Sequence, residues 1–317
     1  MLTLSPVAVK DSRPAYRPYE ATVVAVRKLS PHFVRVTFTG DDLGGFGIDR
    51  LDQRLKIVFP LEGTGISEFG AAHPGTISDG SWYTRWRALP DAERNPFRTY
   101  TVRAVRPHDR EVDVDMVAHG DGGPASRWLN RAEPGDEVVL IGPDAASENS
   151  AIGIDWHPGD ARCVLLVGDE TAAPAICSVI ESLPAWRKAR AFIEVPSAAD
   201  ILPLDVPEGS EVTWLPREDL QPGAVLDPAV REWVARNRPM YRAALASSVQ
   251  LVEDVDVDTE LLWDSPEAQH NGDFYAWLAG EAGVIKTLRR FLVSETGIDR
   301  KRIAFMGYWR TGKAEAQ

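Results

Sequence analysis

Arg98, Thr99, Tyr100 and Thr101 stand in one run just after Asn95 and Pro96. Along a strand, alternation puts Arg98 and Tyr100 on one face and Thr99 and Thr101 on the other. A flavin dinucleotide needs a cation for its pyrophosphate, a flat ring beside the isoalloxazine and a small hydroxyl near the redox edge. The tetrapeptide offers all three. Arg and Tyr on a strand also serve as solvated face and core, so the motif alone leaves both readings open.

About twenty residues on comes a glycine-rich segment running from His119 and Gly120 through Gly122, Gly123 and Pro124 to Ala125, Ser126 and Arg127. Adjacent glycines let backbone amides approach a ligand with no Cβ in the way. Proline suits the first turn of a helix, where free amides and the Ser126 hydroxyl can meet phosphate. A Gly-Gly turn capping a short amphipathic helix is the equal alternative. Further along, Gly168, Asp169, Glu170 and Thr171 close an apolar run and open a helical one, which is the ligand-binding edge of an open parallel sheet. Acidic residues also suit a helix start for structural reasons alone, and no GxGxxG fingerprint is present. Ala279, Gly280 and Glu281 repeat the strand–glycine–acid order near the C-terminus. Tyr308, Trp309 and Arg310 end the last strand, where aromatics either pack or cover a ring.

The elements that must position these residues change character halfway along the chain. Short alternating runs at 21–29, 32–39, 55–59, 99–106, 111–117 and 137–142, separated by Gly and Pro, predict a small antiparallel β-barrel. The polar, glycine-rich stretch 63–92 reads as a surface loop, and 124–130 as one short helix. After a turn-rich hinge at 143–159, apolar runs at 162–167, 191–195, 211–215, 274–279 and 302–308 alternate with helical patterns at 171–183 and 284–293. That rhythm predicts a parallel sheet with helices on its faces. Segment 227–268 is part helix with an acidic, solvated centre. The sequence thus predicts a two-domain α+β protein, with an antiparallel barrel at 17–148 and an α/β domain at 160–312.

Composition excludes several function classes. A net charge of −12 over 317 residues argues against a nucleic-acid partner, since phosphate binding needs a basic surface. Two cysteines, Cys163 and Cys177, exclude both a disulfide framework and a cysteine-ligated iron–sulfur cluster within the chain. The six histidines show no metal spacing, so any iron arrives as substrate. No apolar run approaches the roughly 20 residues needed to span a bilayer, and the start does not read as a secretory signal. A cytoplasmic protein without membrane insertion is the expectation.

Taken together and in this order, the segments at 98–101, 119–126, 168–171, 279–281 and 307–309 resemble the siderophore-interacting protein family, the FAD-containing ferric-siderophore reductases related to ferredoxin–NADP reductases. The resemblance runs from about Tyr19 to Gly312. It implies that the barrel holds FAD and that the second domain takes NADH or NADPH. Arg98, Thr99, Tyr100 and Thr101 would hold pyrophosphate and flavin, with Asp115, Val117, His119, Gly120, Gly123, Ala125 and Ser126 around the rest of the cofactor. Thr171 would lie near the adenine, and Tyr308 and Trp309 beside the ring. Asp169, Glu170, Ala279, Gly280 and Glu281 would border the nicotinamide. Lys56, Arg127 and Arg310 match the basic positions that bind the ferric siderophore. A 2′-phosphate calls for a base after the second strand of the nucleotide domain. Residues 195–200 there contain none, which favours NADH, although Arg217 could fold back; a ferredoxin donor is a further possibility. Two other readings stand beside the reductase: a general flavin diaphorase or ferredoxin-type reductase, and a flavin- or chelate-binding module without activity.

Overall fold

The computed structural model describes residues 10–118, 123–257, 259–270 and 272–312. The chain divides into two compact units, residues 10–28 with 34–154, and 29–33 with 155–312.

The first unit is built on seven strands: β1 (Tyr16–Lys28), β2 (Phe33–Thr39), β3 (Arg54–Val58), β4 (Phe97–Thr101), β5 (Ala104–Arg106), β6 (Glu111–Val117) and β7 (Glu137–Pro143). Their order is β4-β3-β7-β1-β2-β6-β5, and every pairing given for them is antiparallel. β4 also comes up against β6, so the sheet curls into a half-barrel. Alternation drives this. Tyr19, Ala21 and Val23 of β1, Val36 and Phe38 of β2, Leu55 and Ile57 of β3, and Val112, Val114 and Met116 of β6 fill one core. The predicted single strand over 99–106 is two strands, β4 and β5, parted at 102–103.

The stretch 63–92 is not the surface loop its glycines suggest. It forms α1 (Pro74–Asp79) and α2 (Trp82–Ala88), and it buries Phe69 and Trp86 against Val58, Phe97, Val139 and Ile141 on the outer face of the sheet. Its organiser is Asn95, fully buried. The Asn95 amide donates to the Phe59 and Gly65 carbonyls, both at 2.9 Å, and its oxygen accepts from the Ser67 amide at 2.8 Å. Apolar anchors and one well-placed amide outweigh the local turn composition. The short helix predicted near 124 is present as α3 (Pro124–Leu129).

The second unit carries β8 (Cys163–Gly168), α4 (Ala173–Glu181), β9 (Lys188–Val195), β10 (Glu211–Pro216), α5 (Leu226–Arg236), α6 (Arg238–Tyr241), β11 (Trp263–Asp264), β12 (Phe274–Glu281), α7 (Ala282–Arg289) and β13 (Ile303–Trp309). The strand order is β10-β9-β8-β12-β13-β11. The first five are parallel, and the short β11 runs antiparallel at the edge. The sheet is therefore mixed rather than purely parallel. Segment 227–268 does contain helix, in α5 and α6, whereas 251–256 has no regular structure. Chain order reverses between β8 and β12, the place where open α/β sheets bind ligands beyond the carboxyl ends of their strands. Among the described residues, no helix is long and apolar enough to cross a membrane.

Candidate functional site

In the first unit the site starts from one register. β3 and β4 pair with Lys56 opposite Thr99 and Ile57 opposite Arg98. Lys56 Nζ donates to Thr99 Oγ1 at 2.8 Å and lies 4.7 Å from the centre of the Phe97 ring. Arg98 and Tyr100 belong to the opposite face. Tyr100 is half-buried against the barrel core, and Arg98 Nη1 donates to the Phe97 carbonyl at 2.7 Å. The strand thus parts residues that sequence proximity groups together: Arg98 and Tyr100 on one side, Lys56 and Thr99 on the other. Thr101 shares the second face and is buried.

Asp115 sits on β6 with its carboxylate fully covered. It accepts from Arg35 at 2.7 and 2.8 Å, and Arg103 lies 3.4 Å away. Its direct work is to hold two arginines. Val117 ends the same strand, half-buried. Gly123 precedes α3 and is half-buried, and a Cβ built on it would meet nothing within 4 Å among the described residues. Ala125 is buried, Ser126 half-buried and Arg127 exposed on that helix. His119 and Gly120 lie outside the described residues. A half-exposed guanidinium, a half-buried aromatic ring, hydroxyls and a glycine with free space at its Cβ position are a set that fits a flavin dinucleotide.

In the second unit the structure draws the predicted acidic and aromatic residues into one cluster at the switch point. Gly168 and Ala279 pair across β8 and β12. Beyond them, Asp169 Oδ1 accepts from the Thr171 amide at 2.9 Å and its hydroxyl at 2.6 Å, while Oδ2 accepts from the Glu281 amide and Trp309 Nε1, both at 2.7 Å. Gly280 has φ +148°, and a Cβ there would lie 2.6 Å from Asp169 Oδ2, so only glycine fits. Burial, together with the neighbouring Glu170 charge, pushes Asp169 up to about 6 against the donors that favour its anion. Glu281 caps α7, its Oε2 accepting from the Val284 amide at 3.0 Å. The crevice these residues line with Pro222, Gly223 and Val284 has no room for a water molecule.

Glu170 is fully buried and accepts from both Nη atoms of Arg217 at 2.7 Å. Arg217 is therefore the ion-pair partner of Glu170. Tyr308 stacks on Trp263 at 5.7 Å and meets Trp277 edge-on at 6.2 Å. Arg310 Nη2 reaches the Glu260 carbonyl at 3.4 Å. Among the described residues, no group of three or more His, Cys, Asp or Glu could hold a metal ion.

Sequence reasoning missed a second feature of the first unit. Tyr16, Trp82, Tyr83 and Phe97 surround a cavity of about 300 Å³ on the Lys56 side of the sheet. The signal available was the aromatic density of 82–86 within a stretch taken for loop.

Known proteins align along almost the whole chain. Residues 22–147 match the siderophore-interacting FAD-binding domain and residues 161–312 match the siderophore-interacting protein domain. An uncharacterized protein of Mycobacterium tuberculosis is 33% identical over 310 residues, covering 95% of this chain and 93% of its own. The ferric vibriobactin reductase of Vibrio cholerae is 29% identical, covering 94% and 92%. The structure of a siderophore utilization protein from T. fusca superposes with a TM-score of 0.68 at 28% identity, covering 96% of this chain and 97% of that one. A ferredoxin reductase of carbazole 1,9a-dioxygenase shares the fold, at a TM-score of 0.56 and 16% identity over 93% of this chain and 70% of its own. The chain belongs to the siderophore-interacting protein family, and its first part is that family's FAD-binding domain.

Proposed function

We propose that the protein is an FAD-dependent reductase of ferric siderophores, with a reduced nicotinamide nucleotide as electron donor. The observation that carries the reading is the placement of Arg98 and Tyr100 on one face of β4, together with the free space beside the Gly123 Cα, inside a matched FAD-binding domain. FAD is assigned to 17–148 and the nucleotide to 160–312. The reductase named among the relatives supports the activity.

Arg98 would neutralise the pyrophosphate, Tyr100 would flank the ring, and Thr101, buried on the other face, would offer its backbone to the polar edge. Gly123, Ala125 and Ser126 would complete the cradle, and Thr99, whose side chain faces the Lys56 side, would contribute to it only through its backbone. Asp115 and Val117 would support it from β6, the former by fixing Arg35 and Arg103. FAD, when bound, supplies a carrier that takes two electrons together and releases them singly. Asp169, Gly280 and Glu281 shape the strand ends where the nicotinamide would lie, and Thr171, Tyr308 and Trp309 border them. Lys56 and Arg310 would draw in an anionic chelate. No side chain has to move a proton. One hydride donor would give two electrons to two ferric ions and its proton to solvent, and ferrous iron then leaves its hard oxygen ligands more readily. A nicotinamide donor places the reaction in the cytoplasm. Because Arg217 is held by Glu170, NADH is assigned over NADPH.

The visible spectrum of the purified chain tests the cofactor. The wild type should be yellow or take up added FAD stoichiometrically, and Arg98→Ala should bind FAD about tenfold to a hundredfold more weakly through loss of one charge-assisted contact. A colourless protein that ignores FAD contradicts the proposal.

A further inference from the structure

The cavity beside Lys56 has a chemistry of its own. Its walls are aromatic: Tyr16 from β1, Phe97 from β4, and Trp82 and Tyr83 from α2. The rings form a connected set. Trp82 meets Tyr83 edge-on at 5.6 Å, Tyr83 stacks on Trp86 at 5.9 Å, and Trp86 leans on Phe97 at 4.5 Å. Of the described residues that line the cavity, two are cationic, Arg54 and Lys56, and none is acidic. In a chain with net charge −12, that is a local reversal of sign.

The Tyr16 wall is fixed from behind. Its hydroxyl donates to the Arg54 carbonyl at 2.5 Å and accepts from the Gln53 side-chain amide at 2.7 Å. The same Gln53 nitrogen donates to the Ile152 carbonyl at 2.8 Å, which ties segment 152–153, also in the cavity lining, to that wall. Gly153 has φ +89°, and a Cβ there would run into the Tyr16 hydroxyl. A cavity whose lining is set in this way is prepared before any ligand arrives, which lowers the ordering cost of binding.

Size and chemistry narrow the occupant. About 300 Å³ lies at the lower end of small-ligand sites, enough for one ring and its linker but not for a whole ferric chelate. Flat walls favour a flat ring through stacked and edge contacts. The ammonium of Lys56, already against the Phe97 ring, favours an anion that can also meet aromatic faces. The geometry points to a specificity pocket for one aryl arm of an anionic chelate, a catecholate or phenolate, with Trp82 and Tyr83 as its selecting walls and Lys56 as its charge. This rests on the reductase reading for the identity of the ligand as a ferric chelate. A chelate that binds iron through aliphatic hydroxamates has no ring to place there.

The experiment uses the FAD-loaded chain and redox-inert gallium(III) complexes, so that binding is read without electron transfer. Equilibrium titrations compare gallium tris(2,3-dihydroxybenzoate) with a gallium linear trihydroxamate. The wild type should prefer the aryl complex. Tyr83→Ala and Trp82→Ala should each weaken the aryl complex about fivefold, and Lys56→Gln about tenfold, while the two aromatic variants leave the trihydroxamate within about twofold. Tyr83 is 42% exposed, so its replacement leaves the fold in place even where Trp82→Ala disturbs packing. Equal wild-type affinity for the two complexes, or unchanged aryl affinity in Tyr83→Ala, overturns the pocket. Failure of the wild type to reduce any ferric chelate would count against the reductase instead and leaves the gallium result unaffected.

Discussion

Asp169 shows how one side chain can organise a site. Its two oxygens take four donors from three places in the chain: Thr171, Glu281 and Trp309. Yet burial and the Glu170 charge raise its pKa from 3.8 to about 6. A carboxyl whose folded-state pKa lies above its unfolded value stabilises the fold most when protonated. The contribution is full below about 4 and is lost as pH rises through about 6. Thermal unfolding of wild type and Asp169→Asn across that range should show the wild-type advantage shrinking as pH rises. A constant difference would mean that Asp169 titrates normally. The motif from Gly168 to Thr171 is plain in the sequence, but this role is not. Glu281 and Trp309 stand 112 and 140 residues away, and nothing local announces them. The same holds for Arg217, whose partner Glu170 is 47 residues distant. Lys56 and Thr99 are also visible as candidates, but only the β3–β4 register shows that they face away from Arg98 and Tyr100.

At the scale of elements, alternation and apolar runs read well because each is a local signature of burial. β2, β6, β8 and β12 fall near where their patterns put them. The stretch 63–92 does not, since five glycines and three serines break it up and its few anchors are spaced too widely to show a period. What shapes it is tertiary: Trp86 Nε1 donates to the Asn95 carbonyl at 3.0 Å, and the Asn95 side chain ties three backbone groups. Asn95→Ala would leave two carbonyls and one amide without that partner. It should cost about 3 kcal/mol in urea unfolding and open 63–92 to proteolysis before the barrel itself unfolds. A loss below about 0.5 kcal/mol would show that water replaces the amide and that the apolar anchors suffice. The outcome bears on function, because α2 supplies two walls of the aryl pocket.

At the scale of the whole molecule, the account joins a flavin-binding half-barrel to an α/β unit whose switch point gathers acid, glycine and tryptophan. Its overall charge repels anionic chelates at long range, and only local cations such as Lys56 reverse that near the site. The most direct measurement separates the chemistry from the identity of the donor. FAD-loaded protein is photoreduced without oxygen and mixed with a ferric catecholate chelate in the presence of a ferrous trap. The account predicts that the oxidised flavin band returns at the rate at which ferrous iron appears, with about two ferrous ions per flavin. A flavin that stays bleached while the chelate remains ferric would contradict it.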